Sequence, residues 1–269
     1  MIMRNRLEEI TIKKDFEMIV HKFGRDIDHI NVYTLGDLHI GSSEFSFAQW
    51  GIWKQKVLDD PNGYVVILGD LMDNGLKNSK TDCFGATMRP REQKEWLAQE
   101  LMPLKDRILC ITRGNHEKRS ADLSDECPIY DVACKLGIED LYRENMCFVK
   151  VSLGEKRSDR QYSYGIAVGH GASRGKTKNF SYAIDSMDVF FTGHTHQPEE
   201  SYPAKIVMDL RNETVTQVGF VHITVPSFLE MGGYALAGMY MPTDFRRIPY
   251  VTLSGVGKNV DVHNLGGMF

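Results

Sequence analysis

Apolar positions along this chain fall into two rhythms, short unbroken runs rich in β-branched residues and wider stripes at helical spacing. The clearest run, Tyr64 to Leu68, follows the turn signal Pro61-Asn62-Gly63 and reads as a buried strand. Ile30 to Leu35, Arg107 to Thr112 and Met187 to Thr192 predict further strands. Met146 to Leu153 and Gln161 to Val168 flank the charged stretch Gly154 to Arg160, which predicts a hairpin with a solvated tip. Helical stripes occur at Phe47, Trp50, Trp53 and Val57, from Pro90 to Leu101, and from Pro128 to Leu136, where Ile129, Val132, Ala133 and Leu136 share a face. The same spacing in Ile12, Phe16, Ile19, Val20 and Phe23, with Gly24 placed to end it, predicts an amphipathic helix near the N-terminus. Polar Gly75 to Arg89 predicts a surface loop over the strand ends. The apolar runs around Ala204 to Leu210, Thr214 to Val225, Tyr234 to Met241 and Ile248 to Leu253 predict a β-rich C-terminal third that completes a second sheet.

Composition narrows the class without naming a function. The 269 residues, 42% hydrophobic and 25% charged, suit a globular chain, and no linker divides them, so a single domain over 1–269 is expected. No apolar run approaches the roughly 20 residues of a membrane span, and Met1 to Arg6 leads into charged sequence without a signal-peptide core. Cys83, Cys110, Cys127, Cys134 and Cys147 form an odd set without C-x-x-C spacing, which predicts free thiols and a cytoplasmic, reducing location. A net charge of -4 exerts no global pull on nucleic acid, so any polyanion site must be a local positive patch.

The chemistry lies just past the predicted strands. Gly36-Asp37-Leu38-His39-Ile40-Gly41 follows one, and the two-residue spacing of Asp37 and His39 points both side chains to one side if the strand continues. Gly69-Asp70-Leu71-Met72-Asp73 ends the strand beginning at Tyr64, Arg113-Gly114-Asn115-His116-Glu117 ends another, and Gly169-His170 and Gly193-His194-Thr195-His196 end two more. Asp37, His39, Asp70, Asn115, His170, His194 and His196 supply seven nitrogen or oxygen ligands, enough for two divalent ions with a carboxylate between them. A donor set without thiolate suits manganese first, with iron, zinc or nickel as alternatives. Two ions about 3.5–4 Å apart hold a hydroxide and clamp a phosphoryl group for in-line displacement. His21, His29, His222 and His263 lie outside every cluster and read as structural or surface histidines.

Five such blocks in this order resemble the calcineurin-like metallophosphoesterase superfamily, including its compact single-domain phage and bacterial members. The resemblance covers Gly36 to His196. It implies an α/β fold of two mixed β-sheets in a sandwich flanked by helices. It also implies that Asp37, His39 and His196 hold one ion, that Asn115, His170 and His194 hold the other, and that Asp70 bridges them. His116 then faces the leaving-group oxygen as general acid, oriented by Asp73. An imidazole beside a carboxylate is favoured in its protonated form, which suits that task.

The surroundings of the blocks bear on the substrate. Protein phosphatases of the superfamily usually carry arginine directly after the second-block aspartate, whereas this chain has Asn74. The block Gly36 to Gly41 looks closer to nucleic-acid phosphodiesterases. The basic residues Arg174, Lys176 and Lys178 beside His170 are candidates for phosphate contact, with a solvated loop as the plainer reading. The expectation is a metal-dependent phosphodiesterase acting on nucleic acid or nucleotides. The alternatives are a phosphomonoesterase acting on phosphoproteins or small molecules, and a binding scaffold without catalysis.

Overall fold

Strands that are apolar at every position need cover on both faces, and the architecture supplies it. The computed structural model describes residues 14–77, 79, 84–157, 160–237, 239, 241–242, 244 and 247–266. One six-stranded sheet runs in the order β1 (Ile19–Lys22), β6 (Met146–Arg157), β7 (Arg160–Gly169), β8 (Val189–Thr192), β12 (Val221–Thr224), β9 (Glu199–Ser201). The other runs β14 (Val260–Asn264), β13 (Pro249–Ser254), β2 (His29–Leu35), β3 (Gly63–Ile67), β4 (Ile108–Thr112), β5 (Tyr142–Arg143). Strands β2 to β5 are parallel, so three successive strand ends open on one edge; β7 and β8 are likewise parallel to each other.

The two sheets pack face to face. Ile30, Val32, Val66 and Leu68 of the second sheet meet Val149, Val151, Ile166 and Phe191 of the first. The alternate side chains Tyr33, Leu35, Val65 and Ile67 point the other way, into a layer with helices α1 (Phe47–Asp59), α2 (Pro90–Leu101) and α4 (Pro128–Leu136). Each buried aliphatic side chain stabilises by about 1.5–3 kcal/mol, so the inner strands are anchored from both faces and their ends form a firm base. Three further helices, α3 (Asn115–Ser124), α5 (Arg174–Ser181) and α6 (Gly233–Ala237), sit beyond the strands.

Three expectations change. Lys14 and Asp15 are helical, but from Ile19 the expected N-terminal helix gives way to β1, where Ile19 pairs with Val149 in parallel register. Ile19 is buried whereas Val20 is 51% exposed, a two-residue period in place of the helical one. The edge of β6 offers ladder hydrogen bonds that override the local pattern; Ile12 lies outside the described residues. Second, the run Thr214 to Val225 does not go as a whole into the second sheet. It divides at Phe220 into β11 (Thr214–Gly219), paired only with β10 (Ala204–Asp209) in a separate exposed hairpin, and β12 of the first sheet. Third, Gly233–Ala237, which overlaps the start of the expected run Tyr234 to Met241, is helical. The described cysteines Cys110, Cys127, Cys134 and Cys147 are free thiols, and Cys83 lies outside the described residues.

Candidate active site

At the shared sheet edge the backbone turns sharply. Asp37 and His39 have φ of 50° and 52°, Asp70 50°, Asn74 47°, His194 71° and His196 57°. Left-handed backbone costs a non-glycine residue on the order of 1 kcal/mol or more, and it persists where the surroundings over-determine it. Thus Asp37 and His39 converge through left-handed loop turns beyond the end of β2, and not by the strand alternation expected from their spacing. The loops after β3 and β4 touch so closely that a Cβ on Gly69 would lie 2.1 Å from the Gly114 nitrogen, and one on Gly114 would lie 2.0 Å from Asp70 Oδ1. Glycine in both blocks follows from that approach.

Eight side chains gather above these turns. Asp37, His39 and His196 form one group with metal-ligand spacing; Asp70, His170 and His194 form another; His39, Asp70 and His116 form a third. Asp37 Oδ2 accepts the His194 N–H at 2.8 Å, whereas Asp37 Oδ1 is buried without any hydrogen-bond partner. His196 Nε2 lies 3.4 Å from that oxygen and 3.1 Å from His39 Nε2. An orphan carboxylate oxygen and two ring nitrogens aimed at one point suit a cation. Burial, reinforced by neighbouring histidines, holds His39 well below the ordinary imidazole range, so it is neutral and has a lone pair to offer. On the other side, Asn115 Oδ1 lies 3.0 Å from His170 Nε2 and 2.8 Å from His194 Nδ1. His170 Nδ1 faces the Leu68 carbonyl at 2.9 Å, which turns Nε2 inward. Burial opposes charge on His170, yet Asp70 at 3.1 Å outweighs it and pushes the imidazole up to about 10. The spot demands positive charge, and a divalent ion meets that demand as a proton would.

Asp70 is held from below. Glu117, wholly buried, accepts the backbone N–H groups of Asp70, Leu71, Met72 and Gly114 at 2.8–3.1 Å. One carboxylate thereby ties the turn after β3 to the first turn of α3. Asn74 completes the tie: its Nδ2 donates to the His116 carbonyl at 2.7 Å and to Ser120 Oγ at 3.0 Å. His116 stands above, with its backbone N–H on Asp70 Oδ1 at 2.7 Å and its Nε2 3.8 Å from Asp70 Oδ2. Its Nδ1 lies 2.7 Å from the Asp73 carbonyl and 3.4 Å from the Asp73 carboxylate. Burial works against a charged His116, but the Asp73 and Asp70 carboxylates raise it above its ordinary value. Arg119, one turn along α3, brings Nη2 to 2.9 Å from His116 Nε2.

A family model described as calcineurin-like phosphoesterase matches residues 30–198. The chain belongs to the calcineurin-like phosphoesterase family. The matched segment contains all eight clustered side chains, His116 among them. The protein is a metal-dependent phosphoester hydrolase, and membership implies divalent ions, which the groups around Asp37 and Asp70 fit. No curated protein matches the sequence. Among solved structures, a metallophosphoesterase from Sphaerobacter thermophilus is similar at 16% identity, over 87% of this chain and 88% of that one, with a TM-score of 0.42. The calcineurin-like phosphoesterase YfkN from Bacillus subtilis is similar at 10% identity, over 88% and 91%, with a TM-score of 0.41. Vps29 from Entamoeba histolytica, complexed with zinc, is similar at 12% identity, over 87% and 97%, with a TM-score of 0.36.

In this phosphoesterase the clustered side chains open into a cavity of about 560 Å³. Asp70, Asn115, His116, His194 and His196 line it, together with an apolar set, Leu229, Met231, Ala235, Met241 and Pro242, that forms part of its wall. That wall comes from the C-terminal third, for which the sequence offered no site role. The basic residues beside His170 lie elsewhere. Arg174 opens α5 and pairs with Glu199 at 2.6 Å, and Lys176 lines a separate cavity with Gly169, Phe180 and Phe190. The structure does not bring either to the cavity beside Asp70. Glu117, Asn74 and Arg119 are the site residues that sequence reasoning missed. The available signal was an acidic residue three positions after Gly114, where it can cap a helix.

Proposed function

We propose that this hydrolase works with two divalent ions, manganese first, one held by Asp37, His39 and His196 and the other by Asn115, His170 and His194, with Asp70 between them. The convergence of the two ligand groups on Asp70, with His116 standing over it, carries this reading. When bound, such ions supply a nucleophile at neutral pH and neutralise charge on the phosphoryl oxygens. The chain's own residues do the rest. Glu117 fixes the backbone that presents Asp70, His194 is set by its bond to Asp37, and His116, oriented by Asp73, delivers a proton to the departing alcohol oxygen.

The substrate is a phosphodiester of a nucleotide or nucleic acid. One observation favours a diester over a monoester. The described residues that line the cavity include Glu230 but no lysine or arginine, and Arg119, bonded to His116, is a single nearby guanidinium. A monoester dianion would call for more positive charge than a diester monoanion. The sequence is read as one domain acting in the cytoplasm; none of the described helices is long and apolar enough to cross a membrane. The test is hydrolysis of the mono- and diester of one chromogenic alcohol with Mn²⁺ supplied. Diester preference is expected, followed by turnover of labelled DNA, RNA or cyclic nucleotides that weakens with added salt for polymeric substrates. Monoester preference would move the function to phosphatases, and no activity on either would return the fold to a binding role.

A further inference from the structure

Arg119 has no part in the assignments above, yet it is the cation nearest to His116. It lies on α3 three residues after His116, on the same face of the helix. Its Nη2 sits 2.9 Å from His116 Nε2 and its Nη1 3.4 Å from the Asp73 carbonyl. The base from which it reaches is fixed, because Glu117 and Asn74 bind the first turn of α3 to the loop after β3. His116 Nε2 is in turn 3.8 Å from Asp70 Oδ2, so the guanidinium borders the ligand cluster on the side of His116.

The guanidinium donates toward both the imidazole and the Asp73 carbonyl, and so stands beside the ligand cluster. It offers paired donors matched to two oxygens of one phosphoryl group. Asn74 cannot supply such a contact. It is 1% exposed, turned inward, and committed to the His116 carbonyl and Ser120.

We propose that Arg119 binds a non-bridging oxygen of the substrate phosphoryl group, leaving His116 Nε2 to face the alcohol oxygen. This rests on the active site assigned under Proposed function. Only hydrogen bonds change: Arg119 exchanges its contact with the imidazole for one with the phosphoryl oxygen, and no bond is made or broken at Arg119.

The test compares wild type, Arg119→Ala and Arg119→Lys. Manganese content is measured by elemental analysis, inorganic phosphate binding to the Mn²⁺-loaded proteins by calorimetry, and hydrolysis of the chromogenic diester by steady-state kinetics. Arg119→Ala is expected to hold manganese like wild type and to lose about tenfold to a hundredfold in phosphate affinity, as befits charged hydrogen bonds. Its KM for the diester rises, and Arg119→Lys recovers part of both losses. Wild-type turnover together with unchanged phosphate affinity in Arg119→Ala overturns the role of Arg119 alone. Wild-type protein that binds no metal and cleaves no ester removes the proposed function, and Arg119's role with it. A melting curve that shows Arg119→Ala unfolded shifts the decision to Arg119→Lys, for which phosphate affinity equal to wild type overturns the proposal.

Discussion

Asp70 belongs to two of the three ligand groups among the described residues, and its carboxylate is held well below the usual range, against its own burial, by His170, His116 and His39. A neutral amide of the same shape removes the charge that draws these groups together. Asp70→Asn is expected to lose metal from both groups and to abolish turnover; wild-type metal content and rate would sink the bridging role. His116→Ala is expected to keep its metal and to lose roughly 10²- to 10⁴-fold in rate on esters of poor leaving groups, with a smaller loss on good ones. Equal losses across a leaving-group series would remove the proton-delivering role. The candidate ligands were legible in the sequence because each follows a short buried run within a few residues, so the chemistry stood next to the folding signal. Glu117 and Arg119 were not. In sequence they are ordinary charges at the start of a polar helix, and their roles depend on loops 45 or more residues away.

At the scale of elements, strands buried on both faces were the readable parts, because their apolar runs admit few other fates. The helix α3 was missed: its residues 118–124 are mostly polar, and what starts it is the Glu117 carboxylate on the Gly114 N–H, for which an acidic residue three positions after a glycine was the one cue. The N-terminal segment misled for the opposite reason, since a helical stripe was present but an open sheet edge was the stronger partner. The Asn74 position follows from the junction of these elements. An arginine placed there, as in protein phosphatases of the superfamily, would not become a phosphate clamp. The site is 1% exposed, has φ of 47°, and joins the loop after β3 to α3 through two hydrogen bonds. Asn74→Arg is therefore expected to lower the melting temperature, since burying an unpaired charge and losing these bonds costs several kcal/mol. It should also weaken turnover by loosening His116. A variant that melts like wild type and binds phosphate more tightly would show that α3 yields.

For the whole molecule, the sandwich brings five loops from both sheets to one edge, and the result is a set of carboxylates and imidazoles whose mutual strain a bound ion relieves. The cavity wall of Leu229, Met231, Ala235, Met241 and Pro242 belongs to this scale too; it was illegible because these apolar residues serve the cleft and not a strand. Ions that bind only the folded chain stabilise it by about 2.7 kcal/mol at a hundredfold excess over Kd. For a chain of this size that corresponds to roughly 5–10 °C in Tm, which a chelator should reverse. The pH dependence separates the two states. In metal-free protein His170 titrates at about 10 against an ordinary 6.5, raised by Asp70 against the effect of burial. A group whose folded value is raised gives stability that is fully present below its unfolded value and is lost as pH climbs to the folded one. Chelated protein should therefore lose stability between about pH 6.5 and 10. His170→Gln should flatten that slope. With Mn²⁺ present the imidazole gives up its proton to bind the ion, so the same decline should be absent and metal affinity should rise with pH. Parallel melting profiles for the chelated and Mn²⁺-loaded proteins across that window would mean that the ion does not take the place of the proton at His170, and the second ligand group would have to be assigned anew.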